Sequence, residues 1–253
     1  MAIYDWRSVL AEAYGSTIAI VANGPSIVAN QVKGSSFVGV PDSFKEDVIV
    51  HTTDFSTFPH PLWCVNGGHF YHPDKCTLSW NMDDFKDPCM LEHPTVDWYY
   101  SLFEGDTGIP IFSSYEYPEW PRVIAFPLEE ALMATKMMYF TETIQYMFAF
   151  AYMAKLKEIH CYGTDYMTHD RQPGQRANSE WWLGFLHHAG IKVKISPYSN
   201  LMKAPEIEPF VTGSYGYTNE KGLGCDLEDI DKRITAGETW EFDPEGWKPS
   251  QEG

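Results

Sequence analysis

"FTETIQYMFAFAYMAKLKEIHCYGTDY", residues 140–166, runs from a long apolar-faced segment into a short apolar one and then into a polar turn. From Thr141 to Lys157, the residues Ile144, Met147, Phe148, Ala151 and Tyr152 recur at steps of three and four, the period of a helix buried along one face. Thr141 is the expected N-cap, with Glu142 in the first turn. Residues 158–162 read as a strand, 179–189 as a second helix stopped by Gly190, and 191–195 as a second strand. Strands separated by helices cannot pair as hairpins. The helices are crossovers, and the strands they join lie parallel.

Toward the N-terminus, short runs rich in β-branched and aromatic residues recur at 17–22, 47–51, 62–65, 76–80, 109–112 and 122–126, and each reads as a strand. The fold class that follows is α/β, a Rossmann-like layered fold with a mainly parallel sheet. Residues 1–203 are expected to form that one domain. From residue 204 to 253 the chain changes character, with 12 acidic against 4 basic residues, interleaved Gly and Pro, and no sustained apolar period. This segment reads as an acidic, irregular C-terminal extension.

The whole chain has 253 residues and a formal net charge of -17, which repels polyanions at long range. Nucleic acid is therefore a disfavoured partner. The most apolar stretch, 144–154, is too short to cross a bilayer, and no basic segment followed by an apolar run marks an export signal. A soluble, cytoplasmic protein is expected, in the host cytoplasm if the gene is carried by a phage. Five cysteines at irregular spacing do not describe a disulfide framework.

The loops that follow the strands hold the candidate chemistry. In a parallel sheet, ligands gather beyond the carboxyl ends of the strands, where helix N-termini favour anions. After the first strand comes Asn23-Gly24-Pro25-Ser26: Gly24 permits close backbone approach, Pro25 fixes the turn, Ser26 can cap a helix and donate its hydroxyl, and Asn23 can reach ribose or phosphate. "LWCVNGG" puts Asn66 and Gly67 after another strand, and "CTLSWNMDD" puts Asp83 and Asp84 after a third, where adjacent carboxylates suit Mg²⁺ on a diphosphate. The fourth loop, after residue 162, carries Gly163, Asp165, Tyr166, His169 and Arg176, and Gly163 joins Asn23 to Ser26, Asn66 and Gly67 as an expected nucleotide contact. Four polar loops on one sheet edge describe a nucleotide-type site. The loop lacks G-x-G-x-x-G, which argues against a nicotinamide dehydrogenase.

"IVANGPSI", the stretch quoted at the outset, and "GIKVKISPYSNLMK" together resemble the bacterial sialyltransferases that build lipooligosaccharide, and the related archaeal-type 6-hydroxymethylpterin pyrophosphokinase-like proteins. "VNGGHFYHPDKCTLSWNMDD" is more similar to the pyrophosphokinase-like pattern, and phage proteins share the layout "YG-x-D... QR... E-x-W-x-G... GI-x-V". The resemblance covers most of residues 17–203. It implies that Asn23, Gly24 and Ser26 contact nucleotide phosphates and ribose, with Asn66 beside them. The sialyltransferases' histidine ahead of the final helix has no counterpart in "GQRANSEWW", so what carries over is nucleotide binding rather than sialyl transfer.

The expected function is a nucleotide-binding transferase that moves a sugar from a nucleotide-sugar donor to a hydroxyl acceptor. Asp83, Asp165 and His169 are the candidate bases, and Arg176 is a candidate partner of the leaving group. No tightly bound cofactor is expected. The alternatives are a Mg²⁺-dependent pyrophosphokinase-like enzyme using Asp83 and Asp84, a glycosyltransferase acting on phage DNA bases, and a non-catalytic nucleotide-binding phage accessory protein.

"CVNGGHFYHPDKC" also gathers Cys64, His69, His72 and Cys76. With no C-x-x-C pair, the cysteines are expected inside strands and the histidines between them, without structural zinc. Elemental analysis of purified protein should find no zinc; one tightly held ion per chain, lost on replacing His69 and Cys76, would contradict this.

Overall fold

The computed structural model describes residues 5–22, 55, 58–66, 69, 74–84, 103–104, 108–164, 166, 172–196, 199, 201–202, 232 and 236. Its centre is β1 (Thr17–Val21), an almost wholly buried TIAIV run. Ile18 and Ile20 belong to the core on one face of the sheet, and Ala19 and Val21 to the core on the other. A strand buried on both faces needs such a continuous apolar sequence rather than an alternating one.

The other strands are β2 (Leu62–Val65), β3 (Cys76–Asn81), β4 (Ile111–Ser113), β5 (Val123–Ala125), β6 (Glu158–Tyr162) and β7 (Lys192–Ile195). They form one sheet in the order β5-β4-β3-β2-β1-β6-β7, and every pairing is parallel. Strand order therefore reverses at β1: the chain steps outward from β1 to β5, then returns to the far side of β1 for β6 and β7. Right-handed crossovers running in opposite senses must lie on opposite faces.

The two cores follow that rule. The helices α1 (Trp6–Ala13), α2 (Leu128–Thr135), α3 (Thr143–Met153) and α4 (Gln172–His188) contribute to the larger core. Phe55 and Phe58 from the β1–β2 connection, Phe103 from β3–β4, and Tyr117 and Trp120 from β4–β5 pack on the second face. The larger core is built around Phe150 of α3, whose ring centroid lies 5.8 Å from Trp63, 5.6 Å from Trp80 and 4.9 Å from Phe112. Among the described residues, no helix is long and apolar enough to cross a membrane.

Two helix ends deliver β6 and β7 by one device. After α3, Lys155 takes a left-handed φ of 47°, its N–H donates to Tyr152 O at 3.0 Å, and Leu156 N–H donates to Ala151 O at 3.1 Å. After α4, Gly190 takes φ 86°, with Gly190 N to His187 O and Ile191 N to Leu186 O both at 3.0 Å. Each is a Schellman end, with Leu156 or Ile191 buried just beyond it. On β7, the last strand of the described sheet, Lys192 is exposed and Lys194 reaches Glu158 at 2.6 Å; charged side chains of this kind blunt an edge against foreign strands.

Several boundaries differ from the sequence reading. The N-cap of α3 is Glu142, not Thr141, because the Gln145 carboxamide reaches back to accept from Glu142 N at 2.7 Å and Thr141 N at 2.8 Å, which holds Glu142 extended. That helix stops at Met153 instead of residue 157, where the left-handed Lys155 ends it. Helix α4 starts at Gln172, seven residues earlier than expected, so Arg176 is helical rather than in a loop. Its first turns are polar, and the 2.8 Å Arg176–Glu180 pair at i,i+4 stands in for the missing apolar period. Both α1 and α2 were missed; α1 is capped by the Asp5 carboxylate, which accepts from Arg7 N at 2.8 Å and Ser8 N at 3.1 Å. Strands β4 and β5 are shorter than the runs that suggested them. The strand expected at 47–51 lies outside the described residues.

The chain divides into two compact units, Met1–Met202 and Lys203–Gly253. Of the second, the described residues are Lys232 and Ala236, joined by one backbone bond from Ala236 N to Lys232 O at 2.9 Å.

Replacing Phe150 with alanine should destabilise the protein by about 3–5 kcal/mol, since it removes the ring on which Trp63, Trp80 and Phe112 converge. Denaturant unfolding should show a lower midpoint at an unchanged slope.

Candidate functional site

The reversal at β1 defines the place to look, because in open parallel sheets ligands bind beyond the carboxyl ends of the strands where the strand order reverses. Pairing persists to the rim: Ala22 N donates to Tyr162 O at 3.0 Å. Around this rim, in the order of the strands, come Ser113 ending β4, Asn81 ending β3, Asn66 just after β2 and Gly163 just after β6. Asn23, Gly24, Pro25, Ser26, Gly67, Asp165 and His169 lie outside the described residues.

Asn66, Asn81 and Ser113 form the first polar group. Asn81 and Ser113 are partners in register, and Asn66 N donates to Trp80 O at 2.7 Å, which brings Asn66 level with the end of β3. Asn81 and Ser113 are buried, and the Asn66 Oδ1, Asn81 Nδ2 and Ser113 Oγ atoms have no hydrogen-bond partner among the described residues. A buried polar atom left unpaired costs about 1–3 kcal/mol, so three along one sheet edge call for an explanation. A polar ligand lying along that edge could satisfy them. Asn81 Oδ1 accepts from Asp83 N at 3.2 Å, and Ser114 Oγ donates to Met82 O at 2.6 Å, so the segment carrying Asp83 and Asp84 is fastened down at the same edge. The sequence reading singled out Asn66, Asp83 and Asp84 here but passed over Asn81 and Ser113. Their signal was present: each is a polar residue ending an apolar strand.

A second polar group ties α3, α4 and the segment after β6 together. Glu142 Oε1 accepts from Tyr166 Oη, from Ser179 Oγ at 3.0 Å and from Gln145 Nε2 at 2.9 Å, while Gln145 Nε2 also reaches Ser179 Oγ at 2.8 Å. Burial raises the Glu142 carboxyl above its ordinary value, and the donated hydrogen bonds only partly offset that rise. Burial, and then the Glu142 charge, push the Tyr166 phenol far up, so it remains a donor. Gly163, with φ 64°, lets the chain turn from β6 into this group. Of these residues only Gly163 had been assigned a binding role. Glu142 was read as a first-turn acid, and Ser179 as the start of a helix.

Arg176 lies one helical turn before Ser179, and its Nε donates to Glu180 at 2.8 Å. The same Glu180 oxygen accepts from Met202 N at 2.8 Å, so Arg176 belongs to the joint that fastens residue 202 to α4. Asn178, also on α4, is fully buried, and neither amide atom has a partner among the described residues.

Cys64 and Cys76 lie in adjacent strands and His69 between them, while His72 lies outside the described residues. The Cys64 thiol sits against Cys76, and this contact and burial raise its pKa well above the ordinary value; burial pushes Cys161 up to about 12. Burial with a raised pKa makes Cys64 and Cys161 poor nucleophiles.

Comparison with protein-family models and with curated proteins gives no match. Among solved structures, the chain is similar to the sialyltransferase CstII from Campylobacter jejuni, described in complex with the substrate analogue CMP-3FNeuAc. The identity is 18%, the match covers 74% of this chain and 82% of that one, and the TM-score is 0.43.

The raised Glu142 pKa sets the sign of a pH effect. Its folded state favours the protonated carboxyl, so this contribution to stability is full at acid pH and is lost as pH rises from the ordinary carboxylate value through the raised one. Glu142→Gln, which mimics the protonated form, should gain melting temperature relative to the native protein as pH rises above the ordinary carboxylate value. A difference independent of pH would show that Glu142 does not titrate with a raised pKa.

Proposed function

We propose that residues 1–203 form a nucleotide-binding transferase domain that moves a sugar from a nucleotide-sugar donor to a hydroxyl acceptor. One observation carries the reading: strand order reverses at β1, and Asn66 Oδ1 and Asn81 Nδ2, at the ends of the next two strands on the carboxyl edge of the parallel sheet, have no partner among the described residues. In this reading the Asn23-Gly24-Pro25-Ser26 loop takes the phosphates, where backbone N–H groups and a small residue suit an anion. Asn66 and Gly67 flank it on one side and Gly163 on the other, and Asn81 joins them as a further donor.

The transfer needs a base for the acceptor hydroxyl and positive charge for the leaving phosphate. Asp83, Asp165 and His169 are the candidate bases, and Arg176 is the candidate phosphate partner. Asp83 and Asp84 give the second reading its support: adjacent carboxylates on the same edge are the donor set Mg²⁺ uses when it also binds phosphate oxygens. That reading is a pyrophosphokinase-like enzyme. The two differ in metal dependence.

A thermal-shift panel of CMP, UDP, GDP, ADP and ATP, each with and without Mg²⁺, tests both. A ligand at 100 times its dissociation constant should add roughly 2.7 kcal/mol to stability. Under the transferase reading one nucleotide stabilises the protein without metal, and Asn66→Ala lowers its affinity by about twofold to tenfold, the worth of one hydrogen bond. Stabilisation by ATP only when Mg²⁺ is present, abolished by Asp83→Asn, favours the second reading. A panel with no shift at all refutes both.

A further inference from the structure

We propose that His69 is a positioning residue: together with Ser79 it holds the Asn66 carbonyl, and so fixes the backbone of Asn66 and the direction of its carboxamide at the carboxyl edge of the sheet. The inference rests on the reading of that edge as the nucleotide site.

Asn66 has a left-handed φ of 50°, a conformation that side-chain-bearing residues adopt at a cost and glycine adopts freely. Glycine in its place would lack the carboxamide. Asparagine bears that cost better than other residues with a side chain, and here its backbone is also held from outside at both ends. Its N–H donates to Trp80 O at 2.7 Å. Its carbonyl accepts from Ser79 Oγ at 3.1 Å and faces His69 Nδ1 at 3.2 Å.

The proton positions follow from the partners. A carbonyl only accepts, so Nδ1 carries a hydrogen. His69 Nδ1 also lies 3.0 Å from Ser79 Oγ. The arrangement that satisfies all three groups has Ser79 O–H donating to Asn66 O, and His69 Nδ1–H shared between that oxygen and Ser79 Oγ. Ser79 is itself rigid, in the middle of β3 with Cys64 and Ile111 as its register partners. His69 is fully buried, and burial, with the Arg122 charge acting in the same sense, pushes its pKa down to about 4. The ring is therefore neutral near pH 7, with its one proton on Nδ1. That is the state the hydrogen bonds require. The turn after β2 is thus fastened to β3 by a side-chain bond whose direction decides where Asn66 points.

The test uses the full chain and the nucleotide panel above. His69→Leu removes the Nδ1–H donor; His69→Asn restores an N–H near the same place, since an Asn amide nitrogen overlays Nδ1. His69→Leu should weaken nucleotide binding by about fivefold to tenfold, the worth of one good hydrogen bond, and His69→Asn should recover most of that loss. In an Asn66→Gly background, where the carboxamide is gone and the turn needs no holding, His69→Leu should cost less than about twofold by the same reasoning. Equal losses in both backgrounds, or none in either, would overturn the proposal, because a residue that merely supports the fold would act regardless of what stands at position 66.

A second measurement separates this inference from the site reading. In isotope-labelled protein, the ring nitrogen shifts should report the Nδ1–H form from pH 7 down to about pH 5, given a pKa near 4. The Asn66 backbone shifts should leave their left-handed values in His69→Leu and keep them in His69→Asn. If no nucleotide binds but these shifts behave as stated, the nucleotide reading fails and His69 still sets the Asn66 turn. If the Asn66 shifts are unchanged in folded His69→Leu, the proposal fails whatever binds.

Discussion

Everything in the described part of this molecule hangs on the pairing of β1 with β2 on one side and β6 on the other. Both pairings are parallel, and they carry Ala19 as a register partner of Leu62 and of His160 at once. A parallel strand cannot be reached by a tight turn, so each neighbour of β1 demands a long connection. Because the chain leaves β1 in one direction across the sheet and comes back on its other side, those connections separate onto two faces. The helices on one face and the aromatic cover on the other are two consequences of that single reversal.

The two polar groups at the rim show opposite ways of burying polar atoms. Glu142, Gln145, Tyr166 and Ser179 satisfy one another, and the result is a joint between two helices and the turn after β6. A saturated network of this kind rigidifies its surroundings. Asn66, Asn81 and Ser113, by contrast, each keep an atom unpaired. Local hydrogen bonds pin their backbones without using up their side chains: Asn66 is held at N–H and C=O, and Asn81 gives only its oxygen to Asp83. Rigid backbone with uncommitted side-chain atoms is the arrangement that binding sites need, because the cost of orientation has been met before a ligand arrives.

Much of the scaffold was legible because it rests on local chemistry. The apolar runs of β1 and β2 span buried strands almost to the residue, the half-buried β6 runs over the expected residues, and the three-and-four spacing from Ile144 marks the buried face of α3. Gly190 ends α4 because the next step needs a left-handed residue, and glycine announces that in sequence. Lys155 does the same at the end of α3 without announcing it, so that helix was drawn too long. The start of α4 was hidden for the opposite reason: its first turns are polar, and periodicity is silent where no core is being covered. In α1 the period is present, Trp6, Val9, Leu10 and Ala13 recurring at steps of three and four along the core face, but two turns are too short a run for it to stand out from the sequence around it.

The sequence by itself determined the class of fold, since helices between apolar strands force parallel pairing, and it determined that polar residues follow those strands. Only the tertiary structure decided the strand order, because nothing local tells a chain on which side of β1 to insert β6. That decision makes neighbours of residues far apart in sequence: Glu142 meets Tyr166 and Ser179, and Asn81 meets Ser113. It also changes what single residues are. His69, in sequence one of four possible metal ligands, becomes a buried neutral ring bonded to the next turn, and Arg176, in sequence a loop cation, becomes part of a helix. The physical reason is common to both. A side chain's chemistry is fixed by its type, whereas its burial, its partners and hence its protonation are fixed by which strands and helices lie beside it.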